Sequence, residues 1–191
     1  MATPSCAHAH SFTGTVTRVI DGDTVLVTMA PQFPHQPSTI SHQPSCKVRL
    51  AGIDAPEKNQ PYGKEATKAL ADMVLEKQVR VVWQKKDRYR RIIGSIRLMA
   101  SGLPALSGVA GSSAGPEQGR RVIRLPSIAL AKEGRPLSVN EELVRHGHAW
   151  HYVKYSRDKS LARLETEAKT NRIGLWKNLV ATPPWRFRKH R

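Results

Sequence analysis

The chain has 191 residues, with 31 Lys and Arg against 15 Asp and Glu, and its formal net charge is +16. This length suits one domain with extensions, large enough to bury a core without disulfides. The charge exceeds the magnitude of roughly 2–8 that keeps a small domain soluble. It therefore predicts a polyanionic partner, because basic side chains attract phosphates and release their counterions. Two cysteines exclude a disulfide framework.

The first twelve residues, MATPSCAHAHSF, have neither a basic n-region nor an apolar h-region, so they do not resemble a signal peptide. No stretch of the chain is long and apolar enough for a membrane span. We therefore expect a cytoplasmic protein by default, with no membrane association, and secretion stays open as an alternative. We also expect a monomer.

The pattern of apolar residues predicts five short strands and three helices. The strands cover 14–20, 24–29, 47–53, 79–84 and 91–98, and the helices cover 63–77, 138–147 and about 157–173. Five short strands with a helix after the third are typical of an OB-type barrel. We therefore expect an α+β, mainly β fold, in which three helices pack on a five-stranded OB-fold barrel.

Composition divides the chain into three parts. Residues 1–12 are interpreted as a flexible leader, 13–178 as the domain and 179–191 as a basic tail that ends in PPWRFRKHR. Within the domain, about 100–136 is rich in Gly, Ser and Ala and is interpreted as a low-complexity insert.

Three short clusters carry the side chains that could perform chemistry: Asp21-Gly-Asp23-Thr, Arg49 followed by Asp54-Ala-Pro-Glu57, and the run DRYRR at 87–91. Each cluster alone is commonplace, as a turn, a strand exit near a helix start and a solvated basic turn. Together they are more specific, because neighbouring carboxylates repel one another unless a cation lies between them. Oxygen ligands suit Ca²⁺ or Mg²⁺, and arginines bind phosphate bidentately. Metal, arginine and a spare carboxylate are the groups needed for attack of water on a phosphodiester.

The order of these motifs, DGDT, a strand arginine, D-x-P-E and D-x-Y-x-R, resembles the staphylococcal nuclease family, the thermonuclease or micrococcal nuclease-like OB-fold nucleases. The likeness runs from about residue 15 to 98 and from about 137 to 176. The resemblance implies a calcium-dependent endonuclease that hydrolyses phosphodiester bonds of DNA or RNA and leaves 3′-phosphate ends. The sequence leaves open which nucleic acid is preferred and whether the cut falls within a strand or at an end.

The resemblance also implies roles for individual residues. Asp23, Asp54 and the backbone carbonyl of Ala55 would bind one Ca²⁺, and Asp21 would support these ligands without bonding the ion. Arg49 would bind the scissile phosphate. Glu57 would orient or deprotonate the attacking water, and Arg91 would stabilise the transition state and the leaving group.

Four further residues are expected to bind the substrate: Arg88, Tyr89, Tyr152 and Tyr155. Tyr89 lies within an aligned motif, whereas plain packing is an equal alternative for Tyr152 and Tyr155.

One position departs from the family pattern, because Arg90 replaces the usual glycine. If this residue needs a positive φ, the arginine costs roughly 1–2 kcal/mol. Either Arg90 or Arg91 could then face the site, and the spacing from Asp87 favours Arg91.

Two other functions remain possible from the sequence. The chain could be a catalytically inactive OB-fold module that binds nucleic acid, or an interaction protein that uses the Gly- and Ser-rich insert as a contact loop. The complete set of acidic residues and arginines favours the enzyme.

Overall fold

The structure is a computed structural model that describes residues 10–30, 44–99, 136–178 and 181–190. Most of the expected leader, and the expected insert up to residue 135, lie outside the described residues. Cys46 is a free thiol, and Cys6 also lies outside them.

Five strands form a closed barrel. They are β1 (His10–Asp21), β2 (Thr24–Met29), β3 (Ser45–Leu50), β5 (Gln78–Lys86) and β6 (Ile92–Leu98). Their order around the barrel is β1-β2-β3-β6-β5, and β1 closes it by pairing with β5. All pairs are antiparallel except β3 with β6. The expectation of a five-stranded OB-type barrel with helices is confirmed.

Three helices lie within the ranges that the apolar stripes predict, and a short fourth helix lies in the expected tail, where none was predicted. The three are α1 (Gly63–Val74), α2 (Val139–Arg145) and α3 (Lys159–Thr170), and the fourth is α4 (Pro184–Phe187). On α1, the buried residues Ala66, Leu70, Met73 and Val74 recur at helical spacing and face the core. No helix in the described ranges has both the length and the apolar character needed to cross a membrane.

Alternating strand residues fill the barrel. Val16, Val25, Val48, Val81 and Ile96 are completely buried. Each such side chain contributes about 1.5–3 kcal/mol on leaving water. A barrel held in this way is a rigid base for the loops and turns at its mouth.

The expected strand 47–53 is in fact two strands. It is interrupted at Gly52, which has φ of 76°, and β4 (Ile53–Asp54) turns away to pair with β7 (Trp150–His151). The left-handed conformation at Gly52 suits a residue without Cβ. This break moves Asp54 out of the barrel wall and places it opposite Trp150.

Two described features lie outside the expected domain bounds of 13–178. Strand β1 already begins at His10, three residues before the expected start of the domain at 13. At the other end, Trp185 packs against Trp150 and Tyr152, with ring centroids 5.7 and 5.2 Å apart. Part of the basic tail therefore lies on the domain surface.

His148 is held against the body of the domain beyond α2. Its ring stacks on Tyr62 at 5.8 Å, and its Nδ1 lies 3.3 Å from the Tyr62 hydroxyl. Burial, and secondly the nearby His146, lower the pKa of His148 to about 4. Because this value lies below the ordinary 6.5, the unfolded chain binds more protons than the folded chain between these two values.

We predict that His148 makes the free energy of unfolding fall as the pH falls from about 7 to about 5. Linkage gives a loss of about 2 kcal/mol for this group. Urea unfolding of the wild type and of H148Q at both pH values measures it, since the variant should lack this part of the slope. Equal pH dependence in the two proteins would contradict the assignment.

Candidate active site

The predicted site residues line one cavity of about 1070 Å³. It lies where the β1–β2 turn, the segment after β3, the β5–β6 turn and the chain after β7 meet. Every expected catalytic, metal-binding and substrate-binding residue except Asp54 lines it, and Asp54 is bonded to two side chains that do. The residues with expected roles in the lining are Asp21, Asp23, Arg49, Ala55, Glu57, Arg88, Tyr89, Arg91, Tyr152 and Tyr155.

The Asp-Gly-Asp turn packs against the segment that follows β4. A Cβ on Gly22 would lie 2.7 Å from the Cβ of Ala55, so only glycine permits this approach. The approach brings the Ala55 amide within 3.0 Å of Asp23 Oδ2, to which it donates a hydrogen bond. The other oxygen of Asp23 accepts from the Thr24 hydroxyl at 3.0 Å, and Asp21 Oδ1 accepts from the Asp23 amide at 3.1 Å. The turn therefore fixes the Asp23 carboxylate at the cavity.

Asp23 and Asp54 converge on the same guanidinium. Arg49, opposite Thr24 in the β2–β3 register, pairs with Asp23 through Nη1 and donates to Asp54 Oδ1 through Nη2 at 2.7 Å. Asp54 is fully buried, and Asp23 is nearly so. Burial opposes the charge on Arg49, but attraction to the two carboxylates outweighs burial and raises its pKa. The two expected metal ligands therefore contact the same guanidinium group.

A second guanidinium, from the C-terminal segment, reaches the same carboxylates. Arg188 donates to Asp54 Oδ2 through Nη2 at 2.6 Å, and to Glu57 Oε1 through Nη1 at 2.6 Å. Its Nη1 also lies 3.3 Å from Asp54 Oδ1. Although burial lowers it, the pKa of Arg188 is raised overall by these contacts.

The β5–β6 turn presents Arg91 rather than Arg90 to the cavity. Asp87 accepts hydrogen bonds from the Arg91 Nε at 2.7 Å and from the Arg91 and Tyr89 amides at 2.9 Å. One carboxylate thus holds both the turn and the arginine. Arg90 is exposed and has φ of 61°, so its backbone adopts the left-handed conformation that is strained for an arginine.

The expected substrate-binding residues lie around the rim. Tyr89 and Tyr155 are 62% and 68% exposed, so their rings are available for stacking. The Tyr89 hydroxyl accepts from Arg88 at 2.6 Å. Tyr152 is partly buried and stacks on Trp185 with nearly parallel rings. Plain packing therefore explains Tyr152 better than it explains Tyr155.

Comparison with known proteins identifies the family. A protein-family model described as "Staphylococcal nuclease homologue" matches residues 47–178, which is more than half of the chain. The chain belongs to the staphylococcal nuclease family.

Several related sequences align with nearly the whole length of the chain. An Escherichia coli protein named "Uncharacterized endonuclease" is 32% identical over 183 residues, which cover 96% of this chain and 87% of that protein. "Protein ParB" of Escherichia coli is 34% identical, over 92% of this chain and 78% of that protein. "Micrococcal nuclease" of Shigella flexneri is 29% identical, over 93% of this chain and 81% of that protein.

The donor set of this staphylococcal nuclease homologue fits a hard divalent cation. Within the described ranges, no group of three or more His, Cys, Asp and Glu side chains is arranged to hold a metal. The candidate site instead offers two converging carboxylates, Asp23 and Asp54, beside Ala55, whose backbone carbonyl is an oxygen donor of the kind that Ca²⁺ accepts. Water would complete such a coordination shell.

The charges around the site support the same fit. Asp23, Asp54 and Glu57 share the guanidinium groups of Arg49 and Arg188, and the carboxylate of Asp21 lies beside Asp23. Burial, and secondly the charge of Asp23, raise the pKa of Asp21 to about 7. Burial also raises the pKa of Asp54, outweighing its hydrogen bond from Arg188 and the charge of Arg49. Carboxylates in such an environment gain from a further cation.

Arg188 is the site residue that sequence reasoning missed. It lies 134 residues from Asp54 along the chain, and no periodic pattern connects the two. The available signal was the interleaving of aromatic and basic residues in PPWRFRKHR, which the sequence analysis interpreted only as a basic tail.

We predict that R90G raises the free energy of unfolding by about 0.5–1 kcal/mol. Relief of the left-handed backbone strain contributes roughly 1–2 kcal/mol, and the greater freedom of glycine in the unfolded chain offsets part of it. Urea unfolding measures the change. The control is R88G, the same replacement at an exposed neighbour whose φ is not positive, and it should lose stability. Loss of stability in both variants would contradict the strain at Arg90.

Proposed function

We propose that this chain is a Ca²⁺-dependent nuclease that hydrolyses phosphodiester bonds of DNA or RNA and leaves 3′-phosphate ends. The observation that carries the proposal is that Asp23 and Asp54 converge on the guanidinium of Arg49, at the cavity that Glu57 and Arg91 also line. Membership of the staphylococcal nuclease family, with relatives named endonuclease and micrococcal nuclease, supports nuclease activity. The net charge of +16 fits a nucleic acid substrate.

Asp23, Asp54 and the Ala55 carbonyl would hold the Ca²⁺. When bound, the ion would polarise a phosphate oxygen and neutralise negative charge that develops there. Asp21 would support Asp23, since its carboxylate already accepts from the Asp23 amide. The Gly22 contact with Ala55 keeps both ligand segments together.

Glu57 is the residue we assign to the attacking water. Its side chain is 38% exposed, compared with none for Asp54, so water can reach it from the cavity. The Glu57 carboxylate would orient the water and accept its proton as the oxygen attacks phosphorus. The bond from phosphorus to the 5′-oxygen then breaks. Arg91 would stabilise the negative charge on that oxygen until it takes a proton from water, and the phosphate stays on the 3′ side.

Arg49 and Arg91 would bind the oxygens of the phosphate. Both are at least half-buried, where a guanidinium interacts more strongly with an anion than it does in water. Arg91 is held by Asp87, which limits the reorganisation needed during the reaction. Arg88, Tyr89, Tyr152 and Tyr155 would contact the flanking nucleotides, with stacking from the exposed rings.

The remaining features of the proposal concern the whole protein. We propose a single nuclease domain over 13–178, interrupted by an insert at about 100–136, between a leader and a tail. We further propose that it acts as a monomer. A cytoplasmic location stays a prediction.

We predict that E57Q and R91A each lower the turnover of single-stranded DNA in Ca²⁺ by at least about 100-fold, because each removes a group that acts at the reacting phosphate. Initial rates with Ca²⁺ and with chelator measure this, and circular dichroism checks the fold. E65Q and R97A, at exposed positions away from the cavity, are the matched controls and should keep wild-type rates.

Wild-type rates in both E57Q and R91A would contradict the assignment of these residues. A gel shift without cleavage, in Ca²⁺ and in chelator alike, would instead favour a catalytically inactive module that binds nucleic acid.

We predict that Asp87 acts through Arg91 as a positioning residue. D87A should lower kcat by about tenfold or more, because the arginine loses the carboxylate that fixes its Nε. In the R91A background, the same substitution should have little further effect on kcat. A double-mutant cycle measures this coupling, and additive losses would show that Asp87 acts independently of Arg91.

A further inference from the structure

We propose that the C-terminal segment 181–190 is part of the substrate site, and that Arg188 is a third arginine that binds the phosphate of the nucleic acid. This inference rests on the proposed function, since it adds a residue to the same site. The range 47–178 that the family model matches ends before this segment.

The segment is fixed to the domain by apolar and polar contacts. Trp185 stacks on Tyr152 with an interplanar angle of 8° and meets the edge of Trp150. Ala181 and Trp185 pack against the cluster formed by Trp150, Ala168, Leu175 and Trp176. The Gln60 side chain, itself buried, donates a hydrogen bond to the Thr182 carbonyl. Gln60 follows Glu57 closely and binds its amide through Oε1, so the segment is tied to the loop that carries Glu57.

These anchors deliver Arg188 to the reacting groups. Its guanidinium contacts both oxygens of Asp54 and one oxygen of Glu57 at 2.6–3.3 Å. The side chain remains 40% exposed and lines the cavity beside Glu57. It is therefore within reach of any molecule that occupies the cavity.

Arg188 and Arg49 are arranged in the same way around Asp54. The shortest bond from each guanidinium goes to a different oxygen of this carboxylate, from Arg49 to Oδ1 at 2.7 Å and from Arg188 to Oδ2 at 2.6 Å, and Arg188 also donates to Oδ1 at 3.3 Å. A divalent cation bound by Asp54 would compete with both guanidinium groups for these oxygens. The guanidinium groups would then be free at the cavity next to the phosphate, and a bidentate phosphate contact is their best remaining interaction. We therefore assign Arg188 the same kind of phosphate contact as Arg49.

Two opposite effects distinguish this role from a purely structural one. Removing Arg188 removes a competitor for Asp54 and Glu57, so Ca²⁺ binding should become stronger. The same change removes a phosphate contact, so substrate binding should become weaker. Damage to the fold would weaken both.

The test compares R188Q with R186Q in the full chain. Arg186 is exposed on the same segment and does not line the cavity, so R186Q loses the same charge without losing the contact. Calorimetry without nucleic acid gives the Kd for Ca²⁺. Initial rates on a single-stranded DNA oligonucleotide at saturating Ca²⁺ give KM and kcat.

For R188Q we expect Ca²⁺ to bind several-fold more tightly than it does to R186Q. We also expect KM to rise by about tenfold, because the loss of one charge-assisted hydrogen bond has this magnitude. R186Q should match the wild type apart from a small general effect of charge. An unchanged KM in R188Q, or weaker binding of both Ca²⁺ and DNA, would overturn the role of Arg188 while wild-type cleavage still supported the proposed function. No Ca²⁺ binding and no cleavage by the wild type would overturn both.

Discussion

The arrangement of this site depends on two carboxylates that are buried at the mouth of a β-barrel. An ionised carboxylate leaves water at a cost of several kcal/mol unless cations and hydrogen bonds compensate. Asp54 is fully buried and Asp23 nearly so, and Arg49 reaches both. The local features serve this contact: Gly22 permits the approach of Ala55, and Gly52 turns β4 away so that Asp54 faces Arg49.

In the proposed function, this arrangement lets the cluster exchange one cation for another. Two guanidinium groups partly compensate four carboxylates, and burial raises the pKa of Asp21 and Asp54. Carboxylates with raised pKa values are common at functional sites, where a ligand rather than the protein completes the balance of charge. In the proposed cycle, arginines that pair with carboxylates before the reaction pair with phosphate during it. The C-terminal segment gives the chain one more such arginine.

Local rules predicted much of the structure. Alternating valines predicted the barrel strands, and the apolar stripe on α1 predicted its buried face. The spacing from Asp87 predicted that Arg91 rather than Arg90 faces the cavity. Two features could not be derived in this way. The break at Gly52 depends on pairing with β7, which lies about a hundred residues later in the chain. The placement of Arg188 depends on the docking of Trp185 against Trp150 and Tyr152, contacts between distant segments for which a single sequence has no periodic signal.

A crystal structure of the protein grown with Ca²⁺ tests the central claim most directly. The account predicts one ion at about 2.3–2.6 Å from carboxylate oxygens of both Asp23 and Asp54. It also predicts that the guanidinium groups of Arg49 and Arg188 have moved off these oxygens toward the cavity. Crystals in which Ca²⁺ binds elsewhere, while both arginines keep their contacts with Asp54, would contradict it.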